Sequence, residues 1–129
     1  MKGVSFCKSH NYWLDLDKKK IIRSDKGFKV KARLGIPKSN SISEPKKMWV
    51  SPNEKYLFIN YGRQCKDVSK VPLGERKNLP DLSVLFDLQS GEIVKEFAYD
   101  YVSDFTMYGK DSSYLIATWS GTYIGSLEA

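Results

Sequence analysis

The sequence predicts an all-β fold of antiparallel hairpins arranged as two to three sheets, and three observations carry that prediction. Short runs rich in aromatic and aliphatic residues recur along the 129 residues, and none is long enough for an amphipathic helix. The links between them are turn formers, as in Ser51-Pro52-Asn53-Glu54, Gln89-Ser90-Gly91-Glu92, Tyr108-Gly109-Lys110-Asp111 and Ser120-Gly121. The chain also echoes itself. Leu14-Asp15-Leu16 followed by Lys20-Ile21-Ile22-Arg23 returns 72 residues later as Phe86-Asp87-Leu88 followed by Glu92-Ile93-Val94-Lys95. Lys55-Tyr56-Leu57-Phe58-Ile59 returns at a spacing of 58 as Ser113-Tyr114-Leu115-Ile116-Ala117. A unit that recurs with insertions of different length buries its apolar face against its neighbours and presents the remainder as surface.

In chain order, strands are expected near 3–7, 12–16 and 20–24, where Tyr12-Trp13-Leu14-Asp15-Leu16 is the clearest run. Residues 25–45 hold Gly27, Gly35, Pro37, Ser39-Asn40-Ser41 and Pro45, and are read as a linker. A full unit follows, with strands near 46–50, 56–61, 82–88 and 92–97, in which Leu82, Val84, Phe86 and Leu88 share one face. Its second and third strands are separated by an inserted loop, 62–80, long enough to be read as part of a recognition surface. Strands near 102–107, 113–118 and 122–127 begin a third unit, so the chain divides into partial blade 1–24, full blade 46–97 and partial blade 102–127 within one domain. Lys18, Lys19 and Lys20 at a hairpin tip and the Lys-rich strand 26–33 are expected to charge exposed sheet edges.

The segment Met48-Trp49-Val50-Ser51-Pro52-Asn53-Glu54-Lys55-Tyr56-Leu57-Phe58-Ile59 resembles the first hairpin of the WD-repeat and related β-propeller families, in which a hydrophobic strand, Ser-Pro-Asp-Gly-Lys and an apolar strand follow one another. Asp81 through Val94 is similar to the third and fourth strands of those families, with Phe86-Asp87 in place of their aromatic-Asp pair. The resemblance implies about 2.5 degenerate blades. Closing a ring takes about four blades. The fold class expected is therefore an incomplete β-propeller-like or sandwich-like domain, sealed as an open pair of sheets, by a second copy or a partner, or as a collapsed barrel.

Composition bounds the function. Apolar content of 41% with 13% aromatic residues supports an ordinary core, and a chain of this length buries roughly 65–70% of its unfolded surface without metal or disulfide staples. No apolar run approaches the roughly 20 residues of a membrane span, and the start lacks the apolar stretch of a secretory signal. A cytoplasmic protein with no membrane partner is expected. Cys7 and Cys65 allow at most one bridge, and Cys7 with His10 lacks the second ligand pair of a zinc site, so no metal and no cofactor are expected. Charge is divided along the chain: residues 1–50 carry a net +9, residues 51–78 +3 and residues 79–129 −6. Such a division steers partners or lets basic early strands lie beside acidic late ones.

Catalytic patterns are missing. His10 is the only imidazole, Asp15 and Asp87 occupy equivalent places in the echo and read as turn residues, and no Gly-rich phosphate loop occurs. A non-catalytic protein-binding module is expected, with no enzyme activity. Small cytoplasmic chains without chemistry resemble, by size alone, the bacterial immunity proteins that neutralise a cognate toxin by occluding its active site. The partner expected is then one protein, such as a secreted nuclease domain. Candidate partner-binding residues are Tyr61, Arg63, Lys66, Arg76, Lys77, Tyr99, Asp100, Asp104, Trp119 and Tyr123, with Trp119 favoured as a core residue. If 81–111 is the contact face, Asp81, Glu92, Glu96, Asp100, Asp104 and Asp111 would mimic phosphates. The alternative is nucleic-acid binding through the basic 18–33 region, where Tyr12, Trp13 and Phe28 interleave with lysines.

Overall fold

The computed structural model describes residues 4–64, 68–78, 81–99 and 101–127. Among these residues the chain is all-β, with three antiparallel sheets that each run in sequence order and none of which closes into a barrel. The first sheet holds β1 (Ser5–Phe6), β2 (Asn11–Asp15), β3 (Lys20–Ser24) and β4 (Val30–Gly35). The second holds β5 (Lys47–Val50), β6 (Tyr56–Arg63), β7 (Asp81–Asp87) and β8 (Ile93–Phe97). β9 (Val102–Tyr108), β10 (Ser113–Thr118) and β11 (Thr122–Ser126) form the third. The only helical segments described are two short 3-10 turns, Val68–Lys70 and Leu73–Asn78, inside the insertion between β6 and β7.

The second sheet is the middle layer, and period-two alternation explains how it buries both faces. Leu57, Ile59, Tyr61, Val84 and Phe86 pack against Tyr12, Ile21 and the partly buried Leu14 and Leu34 of the first sheet. Phe58, Leu85 and Phe97 point the other way, onto Val102, Phe105, Met107, Tyr114 and Ile116 of the third. Phe58 and Phe105 stack face to face at 3.9 Å, with Trp49 tilted against both. The face expected from Leu82, Val84, Phe86 and Leu88 is the one turned to the first sheet.

Two sequence expectations are corrected. Residues 25–45 are not all linker, because β4 pairs with β3 and makes the first sheet four-stranded. Val30, Ala32 and Leu34 carry the alternation, but Lys29, Lys31 and Arg33 between them conceal it. The carboxylate of Asp25 accepts from the Gly27 and Lys29 N–H groups at 3.0 and 2.8 Å, closing the turn that reverses the chain. The echoes also do not mark equivalent places. The 72-residue echo matches the β2–β3 hairpin to β7–β8, which are second and third strands in one sheet and third and fourth in the other. What the hairpins share is turn chemistry: Asp15 accepts from the Lys18 N–H, and Asp87 from Gln89 and Ser90. The spacing of 58 is off by one. Val50 opposite Leu57 corresponds to Met107 opposite Tyr114, 57 residues on, which fixes which face each residue takes.

The Ser51–Glu54 turn joins all three sheets. Toward the first, the Glu54 carboxylate accepts from Tyr12 Oη at 2.7 Å, from His10 Nδ1 at 2.6 Å and from the Ser9 N–H at 3.0 Å. A carboxylate only accepts, so His10 carries its proton on Nδ1. Toward the third, the buried Asp111 carboxylate accepts from Ser51 Oγ at 2.5 Å and the Asn53 N–H at 3.1 Å. Glu54 and Asp111 both hold positive φ, 62° and 63°, so each turn is bent to deliver its carboxylate across a sheet boundary.

Candidate protein-binding surface

The largest exposed aromatic group is assembled where the β8–β9 connection meets the β10–β11 turn. Thr118 N–H donates to the Gly121 carbonyl at 2.8 Å and closes that turn, and Trp119 N–H donates to the Tyr101 carbonyl at 2.9 Å. Trp119 is thereby held at the tip with 82% of its surface exposed. Tyr101, 54% exposed, meets it edge to face at 6.1 Å. Lys47 Nζ donates to Tyr101 Oη and to the Val102 carbonyl, both at 3.0 Å, and lies 4.2 Å from the Tyr101 ring centroid. On the other side of the same connection Tyr99 stacks on Tyr123 at 4.4 Å, and the Tyr123 hydroxyl meets Ser120 Oγ at 3.1 Å. This pair is rooted in the core, since Tyr99 also stacks on Phe97 at 5.9 Å and Phe97 lies tilted against Phe58 at 5.8 Å.

Beside Lys47 opens a cleft of about 490 Å³, lined by Leu14, Leu16, Lys46, Met48, Trp49 and Ser103. It lies where β2, β5 and β9 from the three sheets converge. Its walls are apolar with two lysines at the edge, and Leu16 projects from the β2 end with most of its surface exposed. Apolar floor, aromatic rim and cationic edge suit the capture of a protein side chain or loop.

The predicted anchors separate. Tyr99, Trp119 and Tyr123 come together in this rim. Expected as a core residue, Trp119 is instead exposed, because it sits in the turn and not on the alternating strand. Tyr61 is the opposite correction: expected as an anchor, it is 3% exposed within the first–second sheet core. Alternation with Leu57 and Ile59 turns its ring inward, and a bulge between Asn60 and Gly62, with Gly62 at φ 74°, follows as the strand continues. Burial pushes its phenol up, with the Ser39 hydroxyl offsetting part of that rise. Arg63 is exposed at the end of β6, opposite Asp81 in register and away from the rim residues. Asp104 is exposed on the outward side of β9, accepting the N–H of its neighbour Phe105 at 2.8 Å. Lys66 and Asp100 lie outside the described residues. Arg76 and Lys77 fall in the Leu73–Asn78 turn, with side chains outside the described set.

The phosphate-mimic set is also cut down. Asp81 is buried and bonded by Asn60 Nδ2 at 3.1 Å, and Asp111 is the buried link to Ser51. Neither is available to a partner. In the basic 18–33 stretch, Lys26 Nζ is turned inward to the Cys7 carbonyl and Asn11 Oδ1, at 2.8 and 2.7 Å, while Lys19 pairs with Glu44 and Lys31 with Asp25. Tyr12, offered for stacking, is buried. Sequence reasoning missed Tyr101 and Lys47, which nothing in local pattern distinguishes from other exposed residues.

His10 and Cys7 turn to different partners, Glu54 and the Val50 carbonyl. Burial, reinforced by the Glu54 charge, pushes the Cys7 thiol up to about 12, so it is a thiol and not a nucleophile at neutral pH. Burial likewise raises the Tyr12 phenol, with its bond to Glu54 adding to the rise. For Glu54 burial pushes upward, but hydrogen bonds from Tyr12, His10 and Ser9 outweigh it and hold the carboxyl below the ordinary range. Among the described residues no three His, Cys, Asp or Glu side chains are grouped to hold a metal ion, and no helix is long and apolar enough to cross a membrane. No known protein family matches the sequence, and no curated protein matches it significantly.

Proposed function

We propose that the chain is a non-catalytic protein-binding module that engages one partner through the Tyr99, Tyr101, Trp119 and Tyr123 rim and the adjoining cleft. The observation that carries this reading is the exposed Trp119, held by its backbone bond to Tyr101 and by the edge-to-face contact with that ring. A large aromatic ring costs solvation when left in water, and rigid aromatic anchors with a neighbouring cation are the residues that dominate protein interfaces. Lys46 and Lys47 favour a partner that is acidic opposite the rim. Occlusion is the mode such a rigid surface supports, and blocking of a toxin active site, as by an immunity protein of the bacterial cytoplasm, is the role proposed. The layered meanders, each running in sequence order, support the propeller-like reading of the fold.

The test is affinity capture from cell extract with the wild-type chain and with Trp119→Ala and Tyr101→Ala, each with and without nuclease digestion. A protein retained after digestion by the wild type and lost from both variants is the expected result. Loss of all bound protein on digestion would instead favour the nucleic-acid alternative and end this reading.

A further inference from the structure

We infer that the outer edge of β11 is a fourth-strand slot, which an extended segment of the protein partner fills as an added antiparallel strand with an acidic and an aromatic side chain turned inward. This deepens the rim reading and rests on it, because Tyr123 belongs to both. All three sheets are meanders in sequence order, but the first two end in a fourth strand, β4 or β8, while the third ends at β11. β11 therefore holds the position of β3 and β7, each of which is paired on both sides. Among the described residues no strand pairs with its second side.

Hydrogen-bond alternation says which groups that edge offers. The β10–β11 turn closes on the Thr118 N–H and the Gly121 carbonyl, and at the far end the Leu127 N–H donates to the Ser112 carbonyl at 2.9 Å. Between these two bonded pairs the antiparallel register makes Tyr123 and Gly125 the residues bonded to Ile116 and Tyr114. Thr122 and Ile124 then turn their N–H and C=O groups away from β10, and no backbone group among the described residues receives them. An edge of this kind invites strand addition unless charge, Pro or a bulge blocks it. The terminal strands β4 and β8 carry Lys31 and Arg33, and Lys95 and Glu96. β11, Thr122-Tyr123-Ile124-Gly125-Ser126, carries no charge and no Pro, and it pairs with β10 without a register shift. A strand left unguarded in a chain that charges the matching edges of its other two sheets is suited to pairing.

The surroundings set the chemistry of the occupant. Tyr123 and Gly125 face the second sheet, as their partners Ile116 and Tyr114 do. Gly125 leaves room for the Tyr114 ring, and the Tyr114 hydroxyl accepts from Lys95 Nζ at 3.1 Å, which brings that ammonium to the inner side of the edge. Lys95 has no ion-pair partner among the described residues, and its remaining protons suit a carboxylate. A residue set opposite Gly125 is therefore best acidic, and one opposite Tyr123, on which Tyr99 stacks at 4.4 Å, best aromatic. The residue between them meets Ile124, 71% exposed, on the outward face. Read antiparallel to β11, the segment runs acidic, β-branched, aromatic, and its backbone pairs with Ile124 and Thr122.

The probe is the synthetic peptide Ser-Thr-Glu-Val-Phe-Thr-Ser, which sets its Glu opposite Gly125, its Val opposite Ile124 and its Phe opposite Tyr123. Amide exchange followed by NMR on the full chain reads the edge residue by residue. Without peptide the Ile124 amide should exchange fast and the Tyr123 amide slowly, and saturating peptide should slow Ile124 by about 10-fold or more. N-methylation of the peptide's Val, or Lys in place of its Glu, should each weaken binding about 10-fold, and Lys95→Ala should erase the preference for Glu over Lys. No binding at millimolar peptide, binding that leaves Ile124 fast, binding indifferent to N-methylation, or an Ile124 amide already slow in the dilute chain would each overturn the added strand. In the affinity capture, Ile124→Pro, tolerated where an edge N–H faces solvent, should lose the same partner as Trp119→Ala. A partner kept by Ile124→Pro but lost from Trp119→Ala leaves the rim reading standing and overturns this inference alone.

Discussion

Gly125 separates two opposite expectations for one substitution. In a strand, Gly→Ala ordinarily stabilises by about 0.5–1 kcal/mol, because glycine loses more chain entropy on folding. At Gly125 a Cβ would lie 2.2 Å from Cζ and Oη of Tyr114 and 2.6 Å from Cε2. Ordinary carbon contacts need about 3.5–4.0 Å, so the ring must move by more than an ångström. It is poorly placed to do so: Tyr114 is buried, meets Phe97 edge to face at 5.3 Å, and its hydroxyl accepts from Lys95 Nζ at 3.1 Å. Overpacking costs about 1–3 kcal/mol, and losing the Lys95 bond about 1 kcal/mol more. The clash wins, and Gly125→Ala should destabilise by about 2 kcal/mol, a fall in Tm of about 8 °C for a chain of this size. Urea unfolding followed by tryptophan fluorescence measures it. Gly35→Ala is the control, since nothing lies within 4 Å of its Cβ, and it should be neutral or stabilising. Tyr114→Leu in the Gly125→Ala background should recover part of the loss in a double-mutant cycle. A Gly125→Ala protein as stable as the wild type would refute the packing of β11 on Tyr114, and with it the support beneath Phe97, Tyr99 and Tyr123.

Trp119→Ala should leave stability within about 0.5 kcal/mol, as expected at an exposed site, yet reduce partner affinity by 2 kcal/mol or more, about 30-fold; calorimetric melting and partner titration measure the two effects separately. Glu54→Gln should lower stability by about 1–2 kcal/mol through weaker bonds to Tyr12, His10 and Ser9. The Glu54 carboxyl lies below its unfolded value in the folded chain, so its contribution is present above the ordinary carboxylate range and lost as pH falls through the folded value. Urea midpoints across that acid range should therefore fall less steeply in Glu54→Gln than in the wild type. Cys7 should resist alkylation at pH 8 in the folded protein and react once unfolded, read by mass mapping of the modified thiol.

Much of the fold was legible because hairpins write themselves locally. Turn residues and two-residue alternation identify β6, β7 and β10 without any knowledge of their neighbours. β4 was legible only as a charged edge strand within a linker, because Lys29, Lys31 and Arg33 take the exposed positions and mask the weak Val30, Ala32, Leu34 stripe that makes it a full member of the first sheet. Register between sheets was not legible either. An echo of similar residues aligns Leu57 with Leu115, but the hairpin pairing aligns Leu57 with Tyr114, and a shift of one residue exchanges core for surface. At the site, Tyr99, Trp119 and Tyr123 were found as large aromatics near turns. Tyr61 answered the same description and is buried, because it continues the inward alternation of Leu57 and Ile59 along β6.

The charge division along the chain acquires a spatial meaning from the sheets. Sequence order is layer order here, so most of the basic first 50 residues fall on the first sheet, while Asp81, Asp87, Glu92 and Glu96 fall on β7, β8 and the turn between them in the middle sheet. The basic and acidic parts are then neighbouring layers about 10 Å apart, close to the Debye length of about 8 Å at physiological salt, so the charge division acts within the chain. The melting temperature should therefore fall modestly as salt rises from low to physiological strength, as scanning calorimetry at several salt concentrations measures. A melting temperature that does not move with salt would mean that these charges are solvated singly and do not act from one sheet on the next.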